Sequence, residues 1–452
     1  MGSRLTVEPA VAPLRGTQQV PGDKSISHRA LLLSALAEGT SRLWGLGSGQ
    51  DNLRTLTALA ALGVHGRRTA EGAVEVSGRG LYGLRPPGMT IDCGNSATTL
   101  RLLAGVLAAQ PFSSEIDGDR YLRARPMRRV VEPLRRMGAV LSGQAGLPPG
   151  EVYAPLRIHP AASLRGILHQ SPVASAQVKS ALLLCGLWAE GPTEVREPAR
   201  SRDHTERLLR RLGVPLSVSD TADAAVCRLD PTGWRRALPP LHMQIPGDLS
   251  SAAFLMGAAL LVSGSEVVLR GVGTNPTRTG VLDAMAQLAP GAVEILDEHE
   301  EAGEPVSDLR VRSPGGPLRP MRIEGQLALR AIDELPLLAS LAGAAEGETL
   351  ITGAAELRVK ESDRLAASCA LLRAFGVECE ELPDGLRVHG RGPAGLRGAV
   401  VSSFGDHRIA MAAAVLALAA PTTTRIEEAE SIETSFPGFA HALAALGAPI
   451  GS

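Results

Sequence analysis

The polar residues of this 452-residue chain are concentrated where apolar, Ala- and Leu-rich helices are expected to begin. A helix N-terminus carries unpaired N–H groups and about half a positive charge, so it binds anions. Cations there are unfavourable for the helix alone, and their recurrence predicts bound phosphate or carboxylate groups. The polar starts contribute Lys24, Ser25 and Arg29; Asn95, Thr98 and Arg101; Ser175, Gln177 and Lys179; Asp333 and Glu334; and Asp406, His407 and Arg408.

A second set of expected helix starts adds further cations and a few carboxylates. A cleft lined by both sets suits two anionic substrates rather than one. Any one of these residues alone would more often be a cap or a solvated charge, and Asp248 and Ser250, which have no adjacent cation, are interpreted as a cap only. The second set contains Arg123, Arg125, Arg202, Lys360, Glu361 and Arg364.

The segments that carry these residues form a sixfold repeat. Its first helix is apolar on nearly all sides, which predicts burial inside a domain. A more polar helix follows and closes on a glycine at the position after its C-cap. With the β-prone stretches between them, each unit contains a helix, a strand, a second helix and a strand pair. The first helices are predicted within 21–39, 93–111, 171–191, 246–264, 331–347 and 404–421, and the closing glycines are Gly63, Gly138, Gly213, Gly291, Gly376 and Gly447.

The six units divide most simply into two domains of three. Residues 1–20 contain two β-prone stretches that the first unit does not use, so they are predicted to complete the sixth unit. We therefore expect an N-terminal domain of residues 21–245 and a C-terminal domain of residues 1–20 and 246–452. The predicted fold class is α/β with two lobes, and the helix N-termini are expected to face the cleft between the lobes.

Composition excludes several classes of protein. The 46 basic and 47 acidic side chains argue against a nucleic-acid binder. The longest apolar run, Ile409–Ala420, is too short to span a membrane, and the N-terminal residues do not resemble a signal peptide. Five cysteines without CxxC spacing favour neither disulfides nor a zinc site. We expect a cytoplasmic protein without metal or cofactor, and the Walker, HExxH and GxSxG motifs are absent from the sequence.

Nine segments together resemble the family of 5-enolpyruvylshikimate-3-phosphate (EPSP) synthases over nearly the whole chain. The resemblance implies two lobes, each built from three βαβαββ units. It also implies transfer of the enolpyruvyl group of phosphoenolpyruvate to the 5-hydroxyl of shikimate 3-phosphate, in the shikimate pathway, by a monomer without cofactor. The segments are PGDKSISHRALLLSALAEGTS, IDCGNSATTLRLLAG, RARPM, ASAQVKSALLL, RDHTERLL, AIDELP, RVKESDRL, FGDHRIAMA and TSFPGF.

The resemblance also implies roles for individual residues. Asp333 resembles the base at the 5-hydroxyl, Glu361 the group that protonates and deprotonates the methylene carbon, and Lys24 a cation that reaches both substrates. The expected shikimate 3-phosphate site contains Lys24, Ser25, Arg29, Ser175, Ala176, Gln177, Arg202, Asp333 and Lys360. The expected phosphoenolpyruvate site contains Lys24, Asn95, Ala97, Arg125, Gln177, Arg364, His407 and Arg408.

The chain departs from the family pattern at three positions. Thr434 stands where many members carry a lysine, so one phosphate contact is in doubt, and Ala176 replaces a serine of some members. Arg202 is expected to supply the donor lost at Ala176. Ala97 replaces the glycine of glyphosate-sensitive members, which predicts tolerance of that inhibitor because the methyl group occupies space that the inhibitor needs.

Two other functions compete with this interpretation. The enolpyruvyl transferases that act on UDP-N-acetylglucosamine typically have Lys-Asn where this chain has Lys24-Ser25, and a reactive cysteine that the loop at 120–125 lacks. A non-catalytic repeat protein that binds phosphorylated metabolites would not need Asp333 and Glu361.

Overall fold

The structure, a computed structural model, describes residues 3–221 and 223–451. The chain divides into two compact units, each with its own apolar core. The N-terminal unit comprises Gly22–Ile245 and Glu301–Glu304. The C-terminal unit comprises the residues up to Pro21, Pro246–Glu300 and the residues from Pro305 onward. This division differs from the expected domain ranges at Pro21 and at Glu301–Glu304, which lie at the turn of a hairpin.

The N-terminal unit contains three four-stranded sheets, each with one parallel and two antiparallel strand pairings. In chain order the helices are Lys24–Leu36, Gln50–Ala61, Ala97–Leu107, Arg120–Arg123, Arg128–Arg136, Ala176–Gly186 and His204–Arg211. The strands are Glu38–Trp44, Gly66–Arg68, Val74–Arg79 and His242–Gln244 in the first sheet, Ile91–Asp92, Ser114–Asp117, Val140–Gly146 and Glu151–His159 in the second, and Leu168–Gln170, Thr193–Glu197, Leu216–Asp220 and Ala225–Leu229 in the third.

The C-terminal unit also contains three four-stranded sheets. Its α-helices are Leu249–Leu261, Gly280–Leu288, Gly325–Arg330, Leu335–Gly343, Arg364–Ala374, His407–Ala417 and Phe439–Ala445, and its 3-10 turns are Ala355–Val359, Pro393–Gly395 and Ala429–Thr434. The strands are Arg15–Gln19, Glu266–Gly273, Val293–Glu301 and Glu304–Arg312 in the fourth sheet, Arg322–Ile323, Glu346–Ile351, Glu378–Leu382 and Gly385–Arg391 in the fifth, and Leu5–Val7, Val400–Ser402, Thr424–Glu427 and Ile450–Gly451 in the sixth.

The sixfold α/β repeat is confirmed, including the buried first helix of each repeat. All six closing glycines have positive φ angles between 74° and 100°, as expected for residues after a helix C-cap. Within this repeat, the prediction for residues 1–20 needs correction. Leu5–Val7 completes the sixth sheet, whereas Arg15–Gln19 pairs in parallel with Glu266–Arg270 in the fourth, so the statement that the whole segment completes the sixth unit was wrong.

Small residues let the first helices pack closely within each core. A Cβ atom added at Gly105, in the helix Ala97–Leu107, would clash with the carbonyl oxygen of Ala181 in the helix Ala176–Gly186.

The aromatic residues are distributed unevenly between the two units. Trp44, Trp188 and Trp234 all belong to the N-terminal unit, whereas Phe254, Phe436 and Phe439 form an edge-to-face group in the C-terminal unit.

Candidate active site

Aspartates cap the helices that carry two of the predicted cations. The Asp23 carboxylate accepts a hydrogen bond from the backbone N–H of Ile26 at 2.8 Å, and that of Asp406 accepts one from Arg408 at 2.9 Å. A carboxylate at this position offsets the positive end of the helix dipole. The cations next to it therefore do not require a bound anion for helix stability, which corrects one step of the argument from sequence.

Arg29 in the N-terminal unit is buried, with 4% of its surface exposed, and is held by neutral oxygens. Its Nε donates to Thr205 Oγ1 at 2.6 Å, and its two terminal nitrogens donate to Ser180 Oγ at 2.8 Å and to the Ser25 carbonyl at 2.9 Å. Burial lowers the pKa of Arg29 to about 10, against the opposing effect of the Glu206 carboxylate. The guanidinium is charged at neutral pH, and neutral acceptors do not cancel that charge.

Lys24 lies at the start of the same helix and pairs with a carboxylate that the sequence did not indicate. Its ammonium is 2.9 Å from Asp51 Oδ2, and its carbonyl accepts a hydrogen bond from Asn52 Nδ2 at 3.0 Å. Asp51 and Asn52 lie in the first turn of the helix Gln50–Ala61. Ser25 contributes its carbonyl to Arg29, so the predicted set Lys24, Ser25 and Arg29 is contiguous in the structure.

The second and third repeats bring further predicted residues together. Arg125 donates to Asn95 Oδ1 at 2.5 Å, and Gln177 Nε2 donates to Thr98 Oγ1 at 2.9 Å. Arg101 contacts the oxygen of the Gln177 amide, which fixes the orientation of that side chain. Ala97 is the first residue of its helix and is buried.

Ser175 caps the helix that contains Ala176 and Gln177, its Oγ accepting from the backbone N–H of Val178 at 3.5 Å. The Ala176 carbonyl accepts a hydrogen bond from Ser180 Oγ at 2.5 Å. Arg202 is close enough to Arg29 for its positive charge to lower the pKa of Arg29. Ser180 therefore links the first turn of this helix to Arg29, which lies near Arg202.

Lys179 does not take part in an exposed anion site. Its side chain is 3% exposed, and its ammonium lies 2.9 Å from Glu197 Oε2 and 2.7 Å from Glu206 Oε1. The prediction that it contributes a cation to the polar helix start is wrong, because two buried carboxylates already bind it.

Arg364 in the C-terminal unit is enclosed by three carboxylates. Its nitrogens lie 2.8 Å from Asp406 Oδ2, 2.6 Å from Glu361 Oε2 and 3.3 Å from Asp333 Oδ1. Burial lowers the pKa of Arg364, but these three carboxylates outweigh burial and raise it above its usual value. Conversely, burial raises the pKa of Asp406 and the Arg364 charge lowers it, with a net shift below the usual value. Both groups are therefore ionised at neutral pH.

Asp333 contacts a second cation besides Arg364. Lys360 Nζ lies 3.5 Å from the oxygen that Arg364 also contacts, and Arg408 donates to the Asp333 carbonyl at 2.8 Å. Glu361 adjoins Lys360 in the chain and accepts a hydrogen bond from Arg364 Nη2 at 2.6 Å. The two carboxylates predicted to act as base and acid thus share the Arg364 guanidinium.

Arg408 is also held by a serine and a carboxylate at the starts of two other helices. Its guanidinium lies 3.3 Å from Ser250 Oγ and 3.5 Å from Glu334 Oε1. Arg278 donates to the same Ser250 Oγ at 2.6 Å and pairs with Asp248 at 3.2 Å. Asp248 does cap its helix, by accepting from the Ser250 N–H at 2.8 Å, but the interpretation of this pair as a cap only was wrong, since a distant arginine supplies the missing cation.

Two further predicted positions lie at the start of a helix and at the end of a turn. His407 begins the helix His407–Ala417 and is buried, with its Nδ1 4.0 Å from the Asp406 carboxylate. Thr434 ends the turn Ala429–Thr434, and its neighbour Glu433 is exposed. No group of His, Cys, Asp or Glu that could hold a metal ion occurs within 3–221 and 223–451.

Each unit therefore suits a different part of a reaction. In the N-terminal unit, Arg29 and Arg125 donate to neutral oxygens, an arrangement that binds anions. Arg202 lies close to Arg29, and Lys24 pairs with Asp51. The C-terminal unit interleaves Arg364, Lys360 and Arg408 with carboxylates, an arrangement that can move protons next to an anion.

No helix in the described part of the chain is long and apolar enough to cross a membrane.

Comparison with known proteins decides the family. The model of the family described as EPSP synthase (3-phosphoshikimate 1-carboxyvinyltransferase) matches residues 9–443. The chain belongs to the EPSP synthase family. It is 50% identical over 435 residues to the 3-phosphoshikimate 1-carboxyvinyltransferase of Geobacter sulfurreducens, covering 96% of this chain and 97% of that relative. Its identity to the enzyme of the same name from Halorhodospira halophila is 50% over 447 residues, covering 99% and 96%.

A solved structure agrees with this assignment. The EPSP synthase of Acinetobacter baumannii superposes with a TM-score of 0.85 at 38% identity, and the match covers 99% of each chain. The EPSP synthase fold, with six repeated four-stranded sheets, is therefore the fold of this chain.

Within this EPSP synthase, the residues that sequence reasoning missed are Asp51, Ser250 and Arg278. Asp51 follows a helix start that contains no cation, so no charge pattern identified it. Ser250 and Arg278 are separated by 28 residues and meet only in the folded chain. A search for arginines preceding short apolar helices would have found Arg278, two residues before the helix Gly280–Leu288, but not its partner.

Proposed function

We propose that this protein transfers the enolpyruvyl group of phosphoenolpyruvate to the 5-hydroxyl of shikimate 3-phosphate and releases phosphate. The observation that carries the proposal is the group of carboxylates around Arg364, in which Asp333 and Glu361 both contact one guanidinium and Asp333 also lies 3.5 Å from Lys360. The reaction needs two proton-transferring groups with separate tasks next to cations that bind an anion. The names of the similar proteins support the same reaction.

Asp333 is the proposed base that removes the proton of the 5-hydroxyl, and the Lys360 ammonium lies 3.5 Å from its carboxylate. Glu361 is the proposed group that gives a proton to the methylene carbon of phosphoenolpyruvate and takes one back when phosphate leaves. Proton addition makes the adjacent carbon electrophilic, the 5-oxygen attacks it, and loss of phosphate with that proton restores the double bond. Lys24 is the proposed cation that stabilises the departing phosphate.

The two substrates are assigned to the residues expected from the sequence. We propose that Lys24, Ser25, Arg29, Ser175, Ala176, Gln177 and Arg202 bind shikimate 3-phosphate together with Asp333 and Lys360, and that Lys24, Asn95, Ala97, Arg125, Gln177, Arg364, His407 and Arg408 bind phosphoenolpyruvate. The continuity of the Lys24–Arg29 set, and the contacts of Asn95 with Arg125 and of Gln177 with Thr98, support these assignments. His407 and Ala97 are assigned to this site from the family resemblance.

We also propose that the enzyme tolerates glyphosate. Ala97 is buried at the first position of its helix, directly after the Ser96 cap, and Asn95 contacts Arg125 two residues away. A methyl group there would overlap the longer inhibitor while leaving room for phosphoenolpyruvate. Because helix propensity alone also favours alanine over glycine by about 1 kcal/mol, inhibition has to be measured separately from stability.

The reaction is tested by incubating the purified protein with shikimate 3-phosphate and phosphoenolpyruvate and measuring phosphate release. Parallel reactions contain UDP-N-acetylglucosamine as the acceptor, or no acceptor. We expect phosphate only with shikimate 3-phosphate. Release with the UDP-sugar would establish the competing transferase, and binding without release in any reaction would establish a metabolite-binding protein.

We also propose that the enzyme is a monomer located in the cytoplasm. Sedimentation of the active sample tests the oligomeric state, and cell fractionation tests the location.

A further inference from the structure

Three buried side chains of the N-terminal unit are not used by the proposed reaction. Lys179, Glu197 and Glu206 have side chains only 2–3% exposed, and the Lys179 ammonium lies 2.9 Å from Glu197 and 2.7 Å from Glu206. Burial lowers the pKa of Lys179, but the two carboxylates raise it above its usual value, so the ammonium form is kept. The cluster therefore holds a buried cation between two acidic side chains.

Glu197 connects two segments that lie far apart in the chain. Its Oε1 accepts the backbone N–H of Ser175 at 2.6 Å, at the start of the helix Ala176–Gly186. Its Oε2 accepts the Ser201 hydroxyl at 2.7 Å, in the residue directly before Arg202. One carboxylate thus fixes the distance between the Ser175 turn and the Arg202 segment.

Burial of this carboxylate is costly unless its charge is compensated. Lys179 supplies that compensation from the second turn of the Ser175 helix, and Glu206 shares it. The cluster also acts on a nearby arginine, since the Glu206 carboxylate raises the pKa of Arg29 against burial. A purely structural ion pair would require neither of the hydrogen bonds that Glu197 makes to the two segments.

We propose that Glu197 is a positioning residue that sets the spacing of Ser175 and Arg202 for the 3-phosphate of shikimate 3-phosphate, with Lys179 as its counter-charge. This inference rests on the proposed function, because it assumes that these segments bind that phosphate. Since bidentate recognition of a phosphate depends strongly on geometry, a small displacement of either segment weakens binding of this substrate. Phosphoenolpyruvate, assigned to other side chains apart from Lys24 and Gln177, is affected much less.

The main test is Glu197→Gln, which keeps the size of the side chain and removes its charge. The amide would place N–H groups against Lys179 and Ser201. We expect the KM for shikimate 3-phosphate to rise about 10–100-fold, with the KM for phosphoenolpyruvate and kcat within about threefold of wild type. The matched control is Glu194→Gln on the same strand, whose carboxylate pairs with Arg196 and Arg228 at the surface, and whose constants should not change.

Ser201→Ala is the second variant, because Glu197→Gln could fail to fold. It removes one hydrogen bond to Glu197 and leaves the Lys179 pairs intact, so we expect a rise of about 2–10-fold in the KM for shikimate 3-phosphate and an almost unchanged unfolding temperature. Wild-type KM in Ser201→Ala, or an equal loss for both substrates in Glu197→Gln, overturns the inference. Absence of turnover in the wild type would instead contradict the proposed function.

Discussion

Two buried arginines, one in each unit, have opposite surroundings. Arg29 donates to the hydroxyls of Thr205 and Ser180 and to a carbonyl, whereas Arg364 donates to Asp406, Glu361 and Asp333. Burial lowers the pKa of Arg29 to about 10, while the three carboxylates outweigh burial and raise that of Arg364. Both are less than 5% exposed, so burial is similar and the partners differ.

The two kinds of surroundings suit different tasks, anion binding around Arg29 and proton transfer around Arg364. A charge held by neutral oxygens remains available to a phosphate, whereas a charge held by carboxylates keeps those carboxylates ionised and oriented. Arg29 thus donates to neutral acceptors while the Glu206 carboxylate acts on it through space, whereas Arg364 donates to carboxylates that include the proposed acid and base. The following experiments test this distinction.

The largest effect is expected for Glu361→Gln. The amide can still accept a hydrogen bond from Arg364 but cannot exchange a proton, so turnover should fall by about 10²–10⁴ while shikimate 3-phosphate binding is retained. Steady-state kinetics and titration calorimetry measure the two quantities. Glu381→Gln, which alters a surface pair with Arg358 at 2.8 Å in the same unit, is the control and should change turnover less than twofold. Near wild-type turnover in Glu361→Gln would assign the proton transfer to another group.

Replacing each arginine by methionine compares the two surroundings directly. Arg364→Met leaves three carboxylates without their shared cation and should lower the free energy of unfolding by about 3–5 kcal/mol. Arg29→Met leaves only neutral acceptors and should cost about 1–3 kcal/mol. Denaturant unfolding at one ionic strength measures both. Equal losses would mean that the carboxylates around Arg364 add nothing to its role in stability.

Ala97→Gly tests whether the N-terminal unit selects by space as well as by charge. Without the methyl group, glyphosate should inhibit about 10–200-fold more strongly, corresponding to about 1–3 kcal/mol, with little change in the KM for phosphoenolpyruvate. Inhibition constants against phosphoenolpyruvate provide the measurement. Strong inhibition of the unaltered protein would contradict the steric argument, whatever the stability of the variant.

The smallest effect concerns His28, which is buried in the N-terminal unit with its Nδ1 2.7 Å from Thr55 Oγ1. Burial, followed by the charges of Lys24 and Arg29, holds its pKa well below the usual value. The unfolded chain therefore binds this proton more readily, so the stability contribution is complete above about pH 6.5 and decreases as the pH falls below it, by up to about 1.4 kcal/mol per pH unit.

His28→Asn should flatten that decrease, as measured by unfolding at pH 7 and pH 5. His65→Asn, at an exposed position of the same unit, should leave the slope unchanged. The Asp406 contribution has the opposite origin, because a carboxyl with a lowered pKa loses its stabilisation only below its ordinary range, near pH 4. An unchanged slope in His28→Asn would show that His28 is protonated equally in both states.

Local patterns predicted the repeating elements of the fold well. The six apolar helices and their closing glycines depend on neighbouring residues, and a glycine such as Gly376, with a φ of 85°, is indicated by its position after a helix. Strand pairing is not local. Arg15–Gln19 and Leu5–Val7 are equally β-prone, and only the folded chain assigns them to different sheets.

In the candidate site, too, local patterns were predictable from the sequence and contacts between distant residues were not. Family motifs and helix starts brought forward Arg29, Asp333 and Arg364, which do lie in polar clusters. Lys179 follows the same pattern, yet it faces Glu197 and Glu206, which belong to a later strand and helix. Whether a cation at a helix start serves a ligand or a buried carboxylate depends on those distant residues, so the pattern alone could not decide it.

The uneven distribution of aromatic residues gives the protein an internal optical label. All three tryptophans belong to the N-terminal unit, so tryptophan emission reports on that unit only, whereas far-ultraviolet circular dichroism sums the helices of both. Unfolding curves from the two signals coincide if the units lose structure together and separate if one melts first. The wild-type sequence thus allows the stability of one unit to be followed without any added fluorophore.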